Sequence, residues 1–165
     1  MNTEKKTRWV IDPAHSEINF RVKHMMISNV TGRFEKFGST ADTDGNDFAG
    51  ARVKGEIDVD SISTRDRNRD AHLKSDDFFN AEAFPTIIFR SKSFDGKKLT
   101  GEITLDTEFN GIAVDHYGQT KAGFELTREL NRKEFGLKWD SVTEAGSVVV
   151  SDRVILLISA QFIRQ

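Results

Sequence analysis

Glu17-Ile18-Asn19-Phe20-Arg21-Val22-Lys23-His24 decides how this chain is read. Ile18, Phe20 and Val22 fall on one side of an extended backbone, and Asn19, Arg21 and Lys23 on the other. Strict period-two order marks a strand with one buried and one wet face. Arg52 to Asp60 repeats it, with Val53, Gly55, Ile57 and Val59 against Lys54, Glu56, Asp58 and Asp60. Further strands are expected at 30–39, 86–94, 98–109, 120–130 and 153–164. The last is apolar on both faces, which suggests burial against a neighbouring layer or subunit. Asp42-Thr43-Asp44-Gly45-Asn46-Asp47 is the clearest turn signal. Helix is scarce: 64–75 is the best candidate, and Pro85 disfavours helix just before it. Many strands separated by short turns point to an all-β sandwich or barrel.

Composition narrows the function. The chain has 165 residues, enough for one domain with a substantial core. Its formal net charge of −2 gives no footprint for nucleic acid or an anionic surface. Cysteine is absent, which excludes disulfides and thiolate chemistry. No apolar run approaches the ~18 residues needed to span a bilayer. No secretory signal is visible, so the expected location is cytoplasmic, or periplasmic for a processed form. The aromatic content is thirteen Phe against two Trp and one Tyr. Phe brings a large apolar area and no polar atom. A β-rich chain this heavy in Phe has either a packed core or a cavity for an apolar ligand.

Chemistry-bearing motifs are few. His15, His24, His72 and His116 show no metal-like spacing, and no metal site is expected. No nucleophile elbow, phosphate loop or dinucleotide fingerprint occurs. Arg65, Arg67 and Arg69 alternate with Asp66 and Asp70, either as a solvated face with local charge pairs or as a cationic rim for a phosphate. Asp76 to Pro85 holds Phe78, Phe79 and Phe84 outside any alternation. Such a loop suits a plug closing a barrel end, or the gate of a lipid tunnel. In 131–139, Asn131 can cap a short helical turn that faces Phe135, Leu137 and Trp139 inward and ends at Gly136.

Taken together, these segments resemble the YceI-like family of polyisoprenoid-binding, lipocalin-like proteins. The resemblance is carried by Trp9-Val10-Ile11-Asp12-Pro13-Ala14-His15-Ser16 running into Glu17–Phe20 with Val22-Lys23-His24-Met25. It continues through Gly32-Arg33-Phe34, Arg69-Asp70-Ala71-His72-Leu73-Lys74-Ser75-Asp76-Asp77-Phe78-Phe79, Phe84-Pro85-Thr86-Ile87-Ile88-Phe89 and Asn131-Arg132-Lys133-Glu134-Phe135-Gly136. It implies an extended antiparallel lipocalin-like β-barrel with one or two short helices. Residues 1–8 would be a flexible tail and 9–165 a single domain. It also implies binding of a long isoprenoid lipid, a quinone or polyprenyl phosphate, for carriage, storage or sensing, without enzymatic chemistry and without a cofactor beyond that lipid. A homodimer is expected.

One departure stands out. The family has a strand, a tight turn and a returning strand near the middle, whereas this chain runs straight through Leu99 to Gly111. About eight to ten residues are missing, the size of a hairpin with its flanks. Either two strands are fused into one long strand, with the returning strand pairing in a second subunit as in domain swapping, or the barrel is closed differently.

The expected wall residues are Phe20, Val22, Phe34, Ile57, Phe78, Phe79, Phe84, Phe89, Phe124 and Trp139, with Arg69 and His72 near a polar head. Two other readings stay open. One is a filled β module that binds a protein partner. The other is an enzyme using His24 or His72 with Asp70 or Asp77 on an apolar substrate.

Overall fold

The fold is that of a computed structural model, which describes residues 6–25, 27–135, 137 and 150–165. Its organising element is the last strand, β12 (Val150–Arg164). On one side β12 pairs along eleven positions with β11 (Thr120–Asn131), from Lys121↔Ile163 to Asn131↔Arg153. On the other it meets two strands in succession. Its C-terminal end pairs with β1 (Lys6–Ile11), and its N-terminal part with β2 (Glu17–His24). β1 therefore starts three residues ahead of position 9, inside the stretch read as a tail.

Between β1 and β2 the chain makes a 3-10 turn at Pro13–His15. Asp12 starts it: its carboxylate accepts from the Ala14 N–H at 3.0 Å and from His15 Nδ1 at 2.7 Å. Proline's fixed φ and missing N–H suit this first position. The turn bends one long strand into two halves that find different neighbours. β1 continues into β4 (Phe37–Asp44), β5 (Asp47–Asp58) and β7 (Thr86–Arg90). β2 continues into β3 (Ser28–Phe34) and β6 (Ile62–Ser63). The stretch 30–39, expected as one strand, is thus divided between β3 and β4. Gly45 (φ +62°) sits in the β4–β5 turn, a left-handed conformation that glycine adopts freely.

Beyond β11 the sheet runs through β10 (Thr104–Val114) and β9 (Lys98–Thr100) to β8 (Ser93–Phe94). Among the described residues the ladder does not close as a paired ring. Its two ends, β7 and β8, are nonetheless halves of one segment joined at Ser91-Lys92. Ser91 N–H donates to Val53 O on β5 at 2.9 Å, and Lys92 N–H donates to Thr100 O on β9 at 2.6 Å. The backbone bridges the gap and gives a barrel-like enclosure. All pairings are antiparallel.

The middle of the chain corrects the sequence reading. The stretch 98–109 is not one uninterrupted strand. The chain folds back at Gly101–Ile103, where Gly101 N–H donates to Ile103 O at 2.8 Å, and Leu99 then faces Leu105. Strand exchange loses its premise, because the returning strand pairs inside its own subunit. The signal missed was Gly101. A Cβ there would stand 2.7 Å from the Phe89 ring and 2.8 Å from Arg90 O. The turn closes only because that position has no side chain.

The α-helix α1 (Arg67–Lys74), the one among the described residues, is shorter than the expected 64–75. Asp66 caps it, accepting from the N–H groups of Asn68 and Arg69 at 3.0 and 3.1 Å. The apolar core gathers Trp9, Ile11, Phe48, Phe94, Leu105, Phe124, Leu126 and Phe162. Trp9 is fully buried, and its Nε1–H donates to Thr43 Oγ1 at 2.9 Å, so the one polar atom of its ring is satisfied.

Two outcomes test this account. Gly101→Ala is expected to lower unfolding free energy by about 1–3 kcal/mol, since a backbone carbonyl cannot move aside as a side-chain tip can; urea unfolding measures it. The hydrogen bond from His15, then the Ala14 amide, holds the Asp12 carboxyl below its ordinary value of 3.8. A carboxyl lowered by folding stabilises the native state above that value, and the benefit fades as pH falls through the folded pKa. Asp12→Asn should therefore flatten the acid side of the stability–pH curve below about pH 4.

Candidate functional site

Inward side chains of β12 (Leu156, Ile158, Ala160, Phe162), β11 (Phe124, Leu126) and β5 (Ala51, Val53, Ile57) surround a cavity of about 320 Å³. Phe37, Phe48, Ile87, Phe89, Phe94, Leu99, Ile103 and Leu105 complete most of its wall. That volume lies at the lower end of the ~300–1,000 Å³ typical of small-molecule sites. Two hydroxyls adjoin it, and both are already engaged. Ser39 Oγ donates to Lys54 O at 2.8 Å, and Thr107 Oγ1 donates to Leu105 O at 3.1 Å. Glu56 borders the space from a strand position that turns outward, where its carboxylate meets Lys54 Nζ at 3.3 Å. Glu102 is exposed on the β9–β10 turn, and half-exposed Phe135 lies at the rim. The surface offered to a guest is hydrocarbon.

One end is closed by aromatic rings. Phe48 packs on Trp9 and Phe124 with centroids 4.9 Å apart in each case, and Phe124 meets Phe162 edge-on at 6.0 Å. Such tilted and edge-on geometries add to the burial of the rings.

Of the expected wall residues, the structure brings Ile57, Phe89 and Phe124 together around this cavity. The others lie elsewhere. Phe20 and Phe34 share the inward face of β2 and β3 but belong to a separate cluster. The Phe20 ring lies over Gly32, where a Cβ would stand 2.1 Å from its tip. Phe34 packs against Phe20 at 5.7 Å and edge-on against Phe79 at 6.0 Å. Phe79 is thereby a plug over the β2–β3 end, held by its N–H to Leu73 O at 3.0 Å. Val22 is half-buried between Val30 and Val154. Phe78 stands edge-on to His72 at 5.1 Å, with the Arg132 guanidinium 6.0 Å from its ring centre. Phe84 is 66% exposed, because the turn ending at Pro85 carries it outward. Trp139 and Gly136 lie outside the described residues.

The charged candidates are committed to the fold. Arg69 donates from Nε to Thr64 Oγ1 and from Nη2 to Thr64 O, each at 2.8 Å. Asp70 accepts from the Thr64 N–H and hydroxyl at 2.8 and 2.6 Å. His72 Nε2 lies 2.8 Å from Asp77 Oδ2, a His–carboxylate pair, but on the exposed side of α1 and away from the cavity. No group of His, Asp and Glu with the geometry of a metal site occurs among the described residues.

Sequence reasoning missed Phe37, Phe48, Phe94 and Phe162 as wall residues. Phe162 was legible, since the alternation from Val154 marks its face. Phe48 hides directly behind a turn and Phe94 in a two-residue strand, where no period can be read. Also missed was Arg132. Asn131 does start a helical turn, its Oδ1 accepting from the Lys133 N–H at 3.0 Å. The buried residue of that turn, however, is Arg132, whose guanidinium donates to Ser151 O at 3.0 Å and Leu137 O at 2.7 Å.

A family model described as the YceI-like domain matches residues 9–162. The chain belongs to the YceI-like family. A UPF0312 protein of Staphylococcus aureus strain USA300 is 34% identical over 166 residues, spanning 94% of this chain and 97% of the relative. The solved YceI protein of Campylobacter jejuni superimposes with a TM-score of 0.69 at 30% identity, over 87% of this chain and 90% of that one. A polyisoprenoid binding domain from Saccharophagus degradans shares the fold alone, with a TM-score of 0.65 at 13% identity over 95% and 98% of the two chains.

Phe34→Ala separates plug from cavity wall. Phe34 is buried, so truncation should cost about 3–5 kcal/mol in urea unfolding. Uptake of an apolar fluorophore by the folded fraction should not change.

Proposed function

We propose that this chain binds the hydrocarbon part of an isoprenoid lipid inside the cavity, without a covalent step. The observation that carries this reading is the wall itself: an apolar enclosure of about 320 Å³ whose adjoining hydroxyls are already bonded to the protein's own carbonyls. A guest with many hydrogen-bonding groups would lose its bonds to water there and gain none. An unbranched or methyl-branched hydrocarbon loses only its contact with water. At ~25 cal/mol per Å², burying ~400 Å² contributes roughly 10 kcal/mol before the costs of association. The polyisoprenoid binding domain of S. degradans, alike in fold, supports the choice of ligand. An interior with unfilled apolar space weighs against a filled module that only docks partners.

The cavity volume suits a segment of chain and not a whole long lipid. In this reading the polar head and the remaining units stay at the rim near Phe135. No cationic side chain lines the cavity among the described residues, so a quinone or alcohol head fits the reading better than a phosphate. Carriage between lipid-rich compartments is the role we favour, because the guest is held by burial alone.

The test is direct. Organic extraction of purified protein followed by mass spectrometry should return an isoprenoid, and added isoprenoid alcohol should displace an apolar fluorophore. Ala160→Phe, which fills the space from β12, should weaken that binding at least about tenfold, a factor worth 1.4 kcal/mol, with the fold retained by circular dichroism. No extracted lipid, no uptake and no effect of Ala160→Phe would refute the reading.

A further inference from the structure

The geometry points to the β10–β11 hairpin end as a docking surface for a lipid bilayer, set against the ring-closed end of the cavity. This rests on the lipid-binding reading above. β9 pairs with β10 only at Thr104–Asp106. From Glu108 to Val114, β10 has β11 on one side and no strand on the other among the described residues. The inward face of that overhang is therefore uncovered. Phe109 pairs across from Phe124, Ile112 from fully buried Ala122, and Val114 from Thr120, so the three share the face that becomes the cavity wall further along. Their exposures are 44%, 37% and 66%, and Tyr117 in the adjoining turn is 80% exposed.

Three observations select a bilayer. The stretch Phe109-Asn110-Gly111-Ile112-Ala113-Val114 holds no charged residue. The nearest carboxylate in the turn, Asp115, is turned back into the protein, accepting from the Tyr117 and Gln119 N–H groups and lying 3.3 Å from Lys121 Nζ. Tyr117 brings an amphipathic ring of the kind that settles at headgroup level. Second, the patch is continuous with the candidate site. The Phe109 ring stacks on Phe124 at 5.1 Å and touches Phe48 at 5.6 Å, and both of those line the cavity. Third, a partner strand is disfavoured at this edge. The register shifts between Phe109 and Gly111, and Gly111 has φ +112°. Such a bulge twists an edge away from regular pairing. A guest held by burial alone also has to arrive from an apolar phase, because its solubility in water is poor.

The experiment is flotation of the full chain with phosphatidylcholine vesicles. Wild type should rise with the vesicles, and added sodium chloride should not release it, since no cation takes part. Ile112→Asp/Val114→Asp should lower the partition at least about tenfold. The same variant should keep the wild-type circular dichroism and the wild-type affinity for an apolar fluorophore in solution. Wild type that stays in the aqueous fraction, or a double variant that floats as well as wild type, overturns the proposal. So does a concentration-dependent dimer that the double variant dissolves while wild type ignores vesicles, which would assign the patch to a second copy of the chain. Flotation without fluorophore uptake would instead refute the cavity reading and leave the docking surface standing.

Discussion

Everything in this fold hangs on keeping β12 paired along its length. A strand of fifteen residues crosses more of the barrel than any neighbour on its β1/β2 side can follow without bending. The bend is made by Asp12, Pro13 and His15, which insert a 3-10 turn between β1 and β2. Each half then recruits its own neighbours, β4 and β5 from one and β3 and β6 from the other. The cavity takes Ile11 from β1 and Ile18 from β2, and the Phe20–Phe34–Phe79 cluster packs beyond it at the β2–β3 end.

The hollow persists because small side chains face the large rings of its wall. Trp9, Phe48, Phe124 and Phe162 brace each other and fix the width of the barrel there. Ala41 and Ala160 stand in register directly across from Trp9 and Phe124, and with Ala51 they are side chains too small to fill the space beside those rings. Small residues set opposite large rings leave a space that water enters at a cost and hydrocarbon fills with gain.

Much of this was legible in the sequence where a period could be counted. Glu17–His24 is a strand with the bounds read for it, and Val154 to Phe162 shows the face that lines the cavity. The 76–85 loop could be read as plug or gate but not assigned, because the choice depends on which ring finds Phe34. The turn at Gly101–Ile103 was missed because its glycine is required by a close approach of Phe89 and Arg90, a tertiary fact with no local signature. Arg69 illustrates the opposite error of emphasis. Its charge suggested a headgroup, whereas its donors hold the Thr64 loop against α1. Phe counted as composition predicted an oily interior, but only register separates the rings that line space from those that fill it.

The central claim is that a hydrocarbon chain resides among Phe124, Leu126, Leu156 and Ile158. Photolysis of the protein with an isoprenoid alcohol carrying a terminal diazirine, followed by peptide mapping, tests it most directly. The account predicts adducts confined to the wall segments 37–57, 87–107, 122–126 and 156–162. Adducts on α1 or on the outward residues of β5, undiminished by excess unlabelled isoprenoid, would contradict it.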